Sequence, residues 1–327
     1  MTLQPKDMPD FSFDAGSQTL SIPVPEAFSF DEALIYLTRS PLECLHQVAD
    51  RKVYKSLELQ DGPVLIEISE AGDSSVQLRR VDGKPMSPTA WEAAADYVRD
   101  WFDLRTELTP FYRMAETDPL LGKLAADYYG LRIIGVPDLF EALCWAVIGQ
   151  QVNLAFAYTL KKRLVETYGR QVMWNGHAYW LFPQPQDIAA ARVDDLRKLQ
   201  FTGKKAEYVI HIAGLMESGA LSKESLMTSG DFDTAERTLT SIRGIGPWTA
   251  HYVMMRCLRL PAAFPIGDAA LHNALKERLN LPGKPSHDEI RVIFAPWKYW
   301  EAYAVFYLWR SLHPAAGKAA SASEGHE

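Results

Sequence analysis

Two hydrophobic rhythms divide the chain. Up to about residue 105, apolar and polar positions alternate, the period of a strand; beyond that, apolar positions recur every three or four residues, the period of a helix. Residues 53–59 and 64–68 alternate on either side of Asp61-Gly62-Pro63, which reads as a hairpin. Residues 19–24 and 75–81 read as further strands, the second followed by the turn Asp82-Gly83. Two helices accompany them, one over 28–37 stopped by Ser40-Pro41, the other opened by Ser87-Pro88 and running through Trp101. The sum is an antiparallel sheet with helices on one face, an α+β unit.

From Thr109 onward the strand pattern vanishes, apart from a short hairpin over 172–181. Asp118-Pro119 caps a short helix, Pro137 and Asp138 open a strongly apolar one over 139–149, and 153–168 is amphipathic and ended by Gly169. Residues 204–216 form another helix and 298–312 the last, while 314–327 are small and polar and read as a disordered tail. The most informative stretch is 239–275. Gly244 and Gly246 flank Ile245, with Thr238, Leu239 and Ile242 at helical spacing before them and Thr249, Ala250, Val253 and Met254 after. This predicts a helix, a very tight turn and a second helix, with Asp233 placed to cap the first and Pro247 at the first position of the second. The glycines permit φ > 0 and close approach. The N–H groups of Gly246, Trp248 and Thr249 would face outward at a helix N-terminus, where a phosphate is welcome. Phe264-Pro265-Ile266-Gly267-Asp268 follows, then an amphipathic run over 269–279.

Composition narrows the class. The 327 residues, 47% hydrophobic and 23% charged, suffice for more than one domain of a soluble protein. No apolar run reaches membrane-spanning length, and the polar N-terminus is no signal peptide. Cys44, Cys144 and Cys257 stand far apart in apolar contexts, which argues against a disulfide framework and for the cytoplasm. The net charge of −7 argues against nucleic acid unless a local basic patch or backbone donors supply the contact. Lys161, Lys162, Arg163 and Arg170, and the pair Lys204 and Lys205, are the candidate patches.

The string I-x-G-I-G-P-W-T-A, ending at Ala250, resembles the helix-hairpin-helix element of DNA repair proteins. The loop ending at Asp268 is similar to the catalytic loop of the helix-hairpin-helix base-excision DNA glycosylases. Asp118-Pro119-Leu120-Leu121-Gly122, Gly130-Leu131-Arg132, PDLFEALCWAVIGQQVN, FPQPQDIA and LRKLQFTGKKAEYVIHIA extend the resemblance over essentially the whole chain, to the bacterial 3-methyladenine DNA glycosylase II family. The fold so implied is mostly α with an N-terminal α+β domain over 1–105. Two helical subdomains over 106–313 would carry the hairpin (239–257) and the catalytic loop (262–268), with the site near the cleft between them.

The resemblance also implies roles. Asp268 would stabilise positive charge on the sugar and orient the attacking water, a task compatible with capping the helix it opens. Trp248, Tyr252 and Trp300 match the aromatics that hold an extruded base, whereas Phe306 and Trp309 read as core. Gly244, Gly246 and Thr249 would hold the DNA backbone. Gln150 and Gln151 sit at the bend whose side chain fills the gap left by the base. The carbonyls of Thr240, Ile242 and Ile245 are candidates for a monovalent cation, Na⁺ or K⁺. Trp248 stands where bifunctional relatives carry a Schiff-base lysine, so a water nucleophile is expected. Only Cys257 lies in the half where some relatives hold an iron–sulfur cluster, so none is expected; nor is a catalytic metal, and His251 reads as a packed or surface histidine. The expected function is monofunctional excision of alkylated purines from double-stranded DNA by a monomer that needs no membrane and no required cofactor. The alternative is a non-catalytic helix-hairpin-helix repair protein, and a glycosylase for oxidised purines is disfavoured by the missing lysine. Among substrates, 3-methyladenine, 7-methylguanine, hypoxanthine and ethenoadenine stay open.

Overall fold

A computed structural model describes residues 11–60, 62–228 and 230–313; the expected disordered tail, 314–327, lies outside the described residues. Six strands, β1 (Ser12–Asp14), β2 (Thr19–Pro23), β3 (His46–Ala49), β4 (Lys52–Leu59), β5 (Gly62–Glu70) and β6 (Ser75–Arg80), form one antiparallel sheet in the order β1-β2-β6-β5-β4-β3. The alternating segments are its four central strands; β1 and β3 are short edge strands with no periodicity long enough to announce them. The register aligns Leu20, Leu78, Ile68 and Val53 across four strands, and all four are 0% exposed. The helix Pro88–Trp101, capped by Ser87 with Pro88 at its first position, lies over β2 and β4.

The sheet's second face is covered too, which departs from the expected one-sided unit. The hairpin of β7 (Arg170–Trp174) and β8 (His177–Leu181), from the second half of the chain, lays Tyr179 against Leu65 and Val81, and Ser56 Oγ donates to the Tyr179 carbonyl at 3.1 Å. The unbroken run Val64-Leu65-Ile66 is what a strand buried on both faces requires. Nor does the seam near residue 105 divide the core, because one hydrophobic cluster runs through it. Buried Arg132 reaches back across it, donating to the carbonyls of Ala27, Asp103 and Thr106.

The helical half is built on Leu139–Gly149, whose mostly apolar residues are buried nearly all round. Leu154–Tyr168, Gly203–Glu217 and Pro247–Arg256 pack around it. Buried Lys205 donates to the Ile148 carbonyl at 2.6 Å, closing that helix's C-terminus. Asp268 caps Ala269–Arg278, which packs on the last helix, Glu301–Ser311. That helix starts later than its periodicity predicts: Pro296 lies in a separate 3₁₀ turn, Ala295–Trp297, and Tyr299 takes φ 72° before helix resumes. Asp231, not Asp233, caps the hairpin's first helix, accepting from the Asp233 and Thr234 amides. Among the described residues no helix is long and apolar enough to cross a membrane.

Candidate active site

The hairpin joins Phe232–Ser241 to Pro247–Arg256 through a turn in which the two glycines act differently. Gly244 has φ 96°, and a Cβ there would fall 2.3 Å from the Tyr208 ring. Gly246 has an ordinary φ of −88°, so the expected positive φ holds for Gly244 alone. Gly246 is instead the residue before the helix, and a Cβ on it would meet nothing within 4 Å. Open space therefore lies before first-turn N–H groups that have no intrahelical acceptor, the setting an anion requires.

Asp268 lines the same cleft as this turn. Its Oδ1 accepts two hydrogen bonds, from the Leu271 amide at 2.9 Å and from Trp309 Nε1 at 2.8 Å. No donor among the described residues reaches Oδ2, and the residue lines the cleft. One oxygen is thus fixed by the helix it caps and by a tryptophan, while the other is left to a substrate. The loop that carries it is tied down as well. The Phe264 amide donates to His251 Nδ1 at 2.8 Å, which leaves the His251 Nε2–H for Glu236 at 3.1 Å. His272 Nε2 bonds the Ile266 carbonyl at 3.0 Å. His251 is therefore a strut between the hairpin and the catalytic loop, a role no local sequence pattern signals.

The cleft has a volume of about 1230 Å³, ample for a nucleotide and the backbone on either side of it. Trp248 and Tyr252 share a helix face with ring centroids 5.6 Å apart, and Trp309 closes the group 6.2 Å from Tyr252. Trp300 is not among the residues lining the cleft. It packs on Phe111 and Tyr303 beneath the last helix. The third aromatic at the site is Trp309, read from its periodicity as core. A helical period says that a face is covered, not whether by protein or by ligand.

Gln150 and Thr249 are brought together. Gln150 Nε2 donates to the Gly244 carbonyl and to Thr249 Oγ1, both at 2.9 Å, and Thr249 is 2% exposed. Both side chains brace the interhelical bend against the hairpin rather than face solvent. Gln151 is the exposed one, held at φ 55° in the cleft wall. Thr240, Ile242 and Ile245 all line the cleft at the turn, and the Ile242 carbonyl already accepts from the Ile245 amide at 3.0 Å.

The basic patches expected from the sequence lie elsewhere. Lys161 is buried against Glu43, Lys162 pairs with Glu166, and Arg170 with Glu58. The cleft has its own bias. Arg39, Arg243, Arg256 and Arg310 line it with Asp268; Glu32 pairs with Arg310 and Glu207 with Arg243, so among the described residues Arg39 and Arg256 are the cleft arginines without a carboxylate partner.

Fold and site together define a helix-hairpin-helix protein of base-excision repair type. Residues 144–299 match the family described as HhH-GPD superfamily base excision DNA repair protein, and residues 41–143 match the 8-oxoguanine DNA glycosylase N-terminal domain. The chain is 47% identical over 298 residues to DNA-3-methyladenine glycosylase of Bacillus subtilis, spanning 91% of this chain and 98% of that one. It is 35% identical over 189 residues to DNA-3-methyladenine glycosylase 2 of Escherichia coli, covering 58% and 63%. The 3-methyladenine DNA-glycosylase of Archaeoglobus fulgidus shares the fold with a TM-score of 0.74 at 23% identity, over 89% of this chain and 97% of that one. The chain belongs to the DNA-3-methyladenine glycosylase family of the HhH-GPD superfamily.

Proposed function

We propose that the protein is a monofunctional DNA glycosylase that extrudes an alkylated purine from double-stranded DNA and hydrolyses its N-glycosidic bond. The observation that carries this reading is the divided carboxylate of Asp268. Oδ1 is pinned by Leu271 and Trp309, no donor among the described residues reaches Oδ2, and Asp268 lines a cleft walled by Trp248, Tyr252 and Trp309. When the bond between the sugar C1′ and the base breaks, its electron pair leaves with the base and positive charge develops on the sugar. A fixed carboxylate stabilises that charge and orients the water that forms the new C1′–O bond. An alkylated purine already carries positive charge, which favours both its departure and its place between electron-rich rings. A protein that only binds DNA needs neither this carboxylate nor this pocket.

The hairpin turn at Gly246 takes a DNA phosphate on its N–H groups, and the carbonyls of Thr240, Ile242 and Ile245 are the hard oxygen donors that would hold a sodium or potassium ion beside it. Tryptophan at 248 offers no amine, so water is the nucleophile. The residues named at the cleft all come from one chain, so a monomer suffices for this chemistry. Incubation with methylated duplex DNA should release free 3-methyladenine and 7-methylguanine, and borohydride added during turnover should trap no protein–DNA adduct. Binding to this DNA without release of any base would return the protein to a non-catalytic role.

A further inference from the structure

Tyr252 lines the cleft, 6% exposed, with its hydroxyl caught between two donors. Trp145 Nε1 donates to it at 2.8 Å and Arg256 Nη1 at 2.9 Å. Neither an indole N–H nor a guanidinium can accept, so both lone pairs of the phenol oxygen are used and its own hydrogen remains to be placed. No acceptor for it is found among the described residues. Neither donor can swing away to relieve this. Arg256 is 3% exposed and anchored by its Nε on the Ile134 carbonyl at 2.7 Å, and Trp145 is 9% exposed and packed on Tyr158 with centroids 4.8 Å apart. A buried donor without an acceptor is rare in a folded protein. The space left to this one is the cleft that Trp248, Trp309 and Asp268 also line.

We infer that the Tyr252 hydroxyl donates a hydrogen bond to a lone-pair atom on the edge of the extruded base, a ring nitrogen or exocyclic oxygen, and that Trp145 and Arg256 are positioning residues that oblige it to donate. This rests on the glycosylase reading and adds to it a second criterion for the base. Its ring faces must stack on the aromatics, and one edge must present an acceptor to Tyr252. The buried charge of Arg256 draws electron density from the phenol oxygen and makes its hydrogen a stronger donor. As the C1′–N bond breaks, its electron pair moves onto the base and enriches that acceptor. The bond therefore tightens towards the transition state, where it speeds the reaction.

Methylated duplex DNA supplies the test, because its two main lesions expose different edges. In 3-methyladenine N7 and N1 keep their lone pairs, and in 7-methylguanine N3 and O6 do. Tyr252→Phe keeps the ring and removes only the hydroxyl. Its single-turnover release of at least one of the two bases should fall about 10-fold, with affinity for abasic-site DNA retained. A loss on 3-methyladenine alone assigns the bond to N7 or N1, and a loss on 7-methylguanine alone to N3 or O6; an equal loss assigns it to the C6 end of the purine, where O6 of one base lies beside the N1 and N7 positions of the other. A change below about twofold on both bases, as expected of a ring that only stacks, would overturn the inference. Trp145→Phe leaves the hydroxyl but removes one of the donors that orient it, so it should show the same order of bases with a smaller loss of about threefold. Should Tyr252→Phe not fold, unchanged rates in Trp145→Phe would overturn the inference in its place. A wild-type protein that releases neither base refutes the glycosylase reading itself, an outcome distinct from one confined to the variants.

Discussion

At the scale of single residues, Asp268 does two jobs with one side chain. The oxygen that caps Ala269–Arg278 also accepts the Trp309 N–H, so capping and catalysis do not compete for the same lone pairs. Asp268→Asn keeps an oxygen for both bonds, and stability should change by about 1 kcal/mol or less in a thermal melt. It removes the negative charge facing the sugar, so single-turnover release of either methylated base should fall about 100-fold or more. DNA affinity should survive, since phosphate contacts do not use that charge. Release at the wild-type rate from a folded variant would reduce Asp268 to a cap. The motif made Asp268, Trp248 and Tyr252 legible in the sequence. It misassigned the third aromatic, giving Trp300 to the pocket and Trp309 to the core, because a helical period shows that a face is covered but not by what, and Trp309 meets Asp268 only through the packing of Ala269–Arg278 on the last helix.

At the scale of elements, the hairpin turn holds two glycines for two unrelated reasons, and substitution should separate them. Gly244→Ala must fit a methyl group against the Tyr208 ring at positive φ, so the variant should lose about 1–3 kcal/mol of stability by denaturant titration. Gly246→Asp has room and an ordinary backbone, so its melting temperature should hold. Its added charge would sit where the phosphate is proposed, and affinity for abasic-site duplex DNA should drop about 10-fold. If affinity is unchanged in a folded Gly246→Asp protein, the turn does not contact DNA. Two struts hold this element, Gln150 to the turn, 94 residues away in the chain, and His251 to the catalytic loop, 13 residues away. Nothing local in the sequence announces either one.

At the scale of the whole molecule, the seam between the sheet and the helical half encloses a cluster of charges. Glu43, His46 and Lys55 come from the first, Glu141 and Lys161 from the second. Burial raises the Glu43 carboxyl, but the charges of Lys161 and then His46, with hydrogen bonds, overcome it and hold it well below the usual range. Burial pushes Glu141 up and depresses Lys55. Burial, only partly offset by Glu43, lowers His46 to about 4. The unfolded chain takes a proton on His46 near pH 6.5, whereas the folded one resists until about 4, so folding loses stability as pH falls through that window. The Glu43 contribution starts to go only below about pH 4.5, where the unfolded carboxylate protonates. His46→Gln should flatten the fall between pH 6.5 and 4.5 by about 2 kcal/mol in denaturant titrations; an unchanged slope would place the acid sensitivity elsewhere. By itself the sequence determined the central strands, most of the helices, the hairpin and the aspartate, because these rest on periodicity, caps and short motifs that neighbouring residues impose on one another. Tertiary structure alone decided that β7 and β8 close the sheet's second face, that Trp309 rather than Trp300 meets Asp268, and that the cleft gathers arginines scattered from 39 to 310. Each of these is a contact between segments distant in the chain, and the forces that select it act only once the segments have packed.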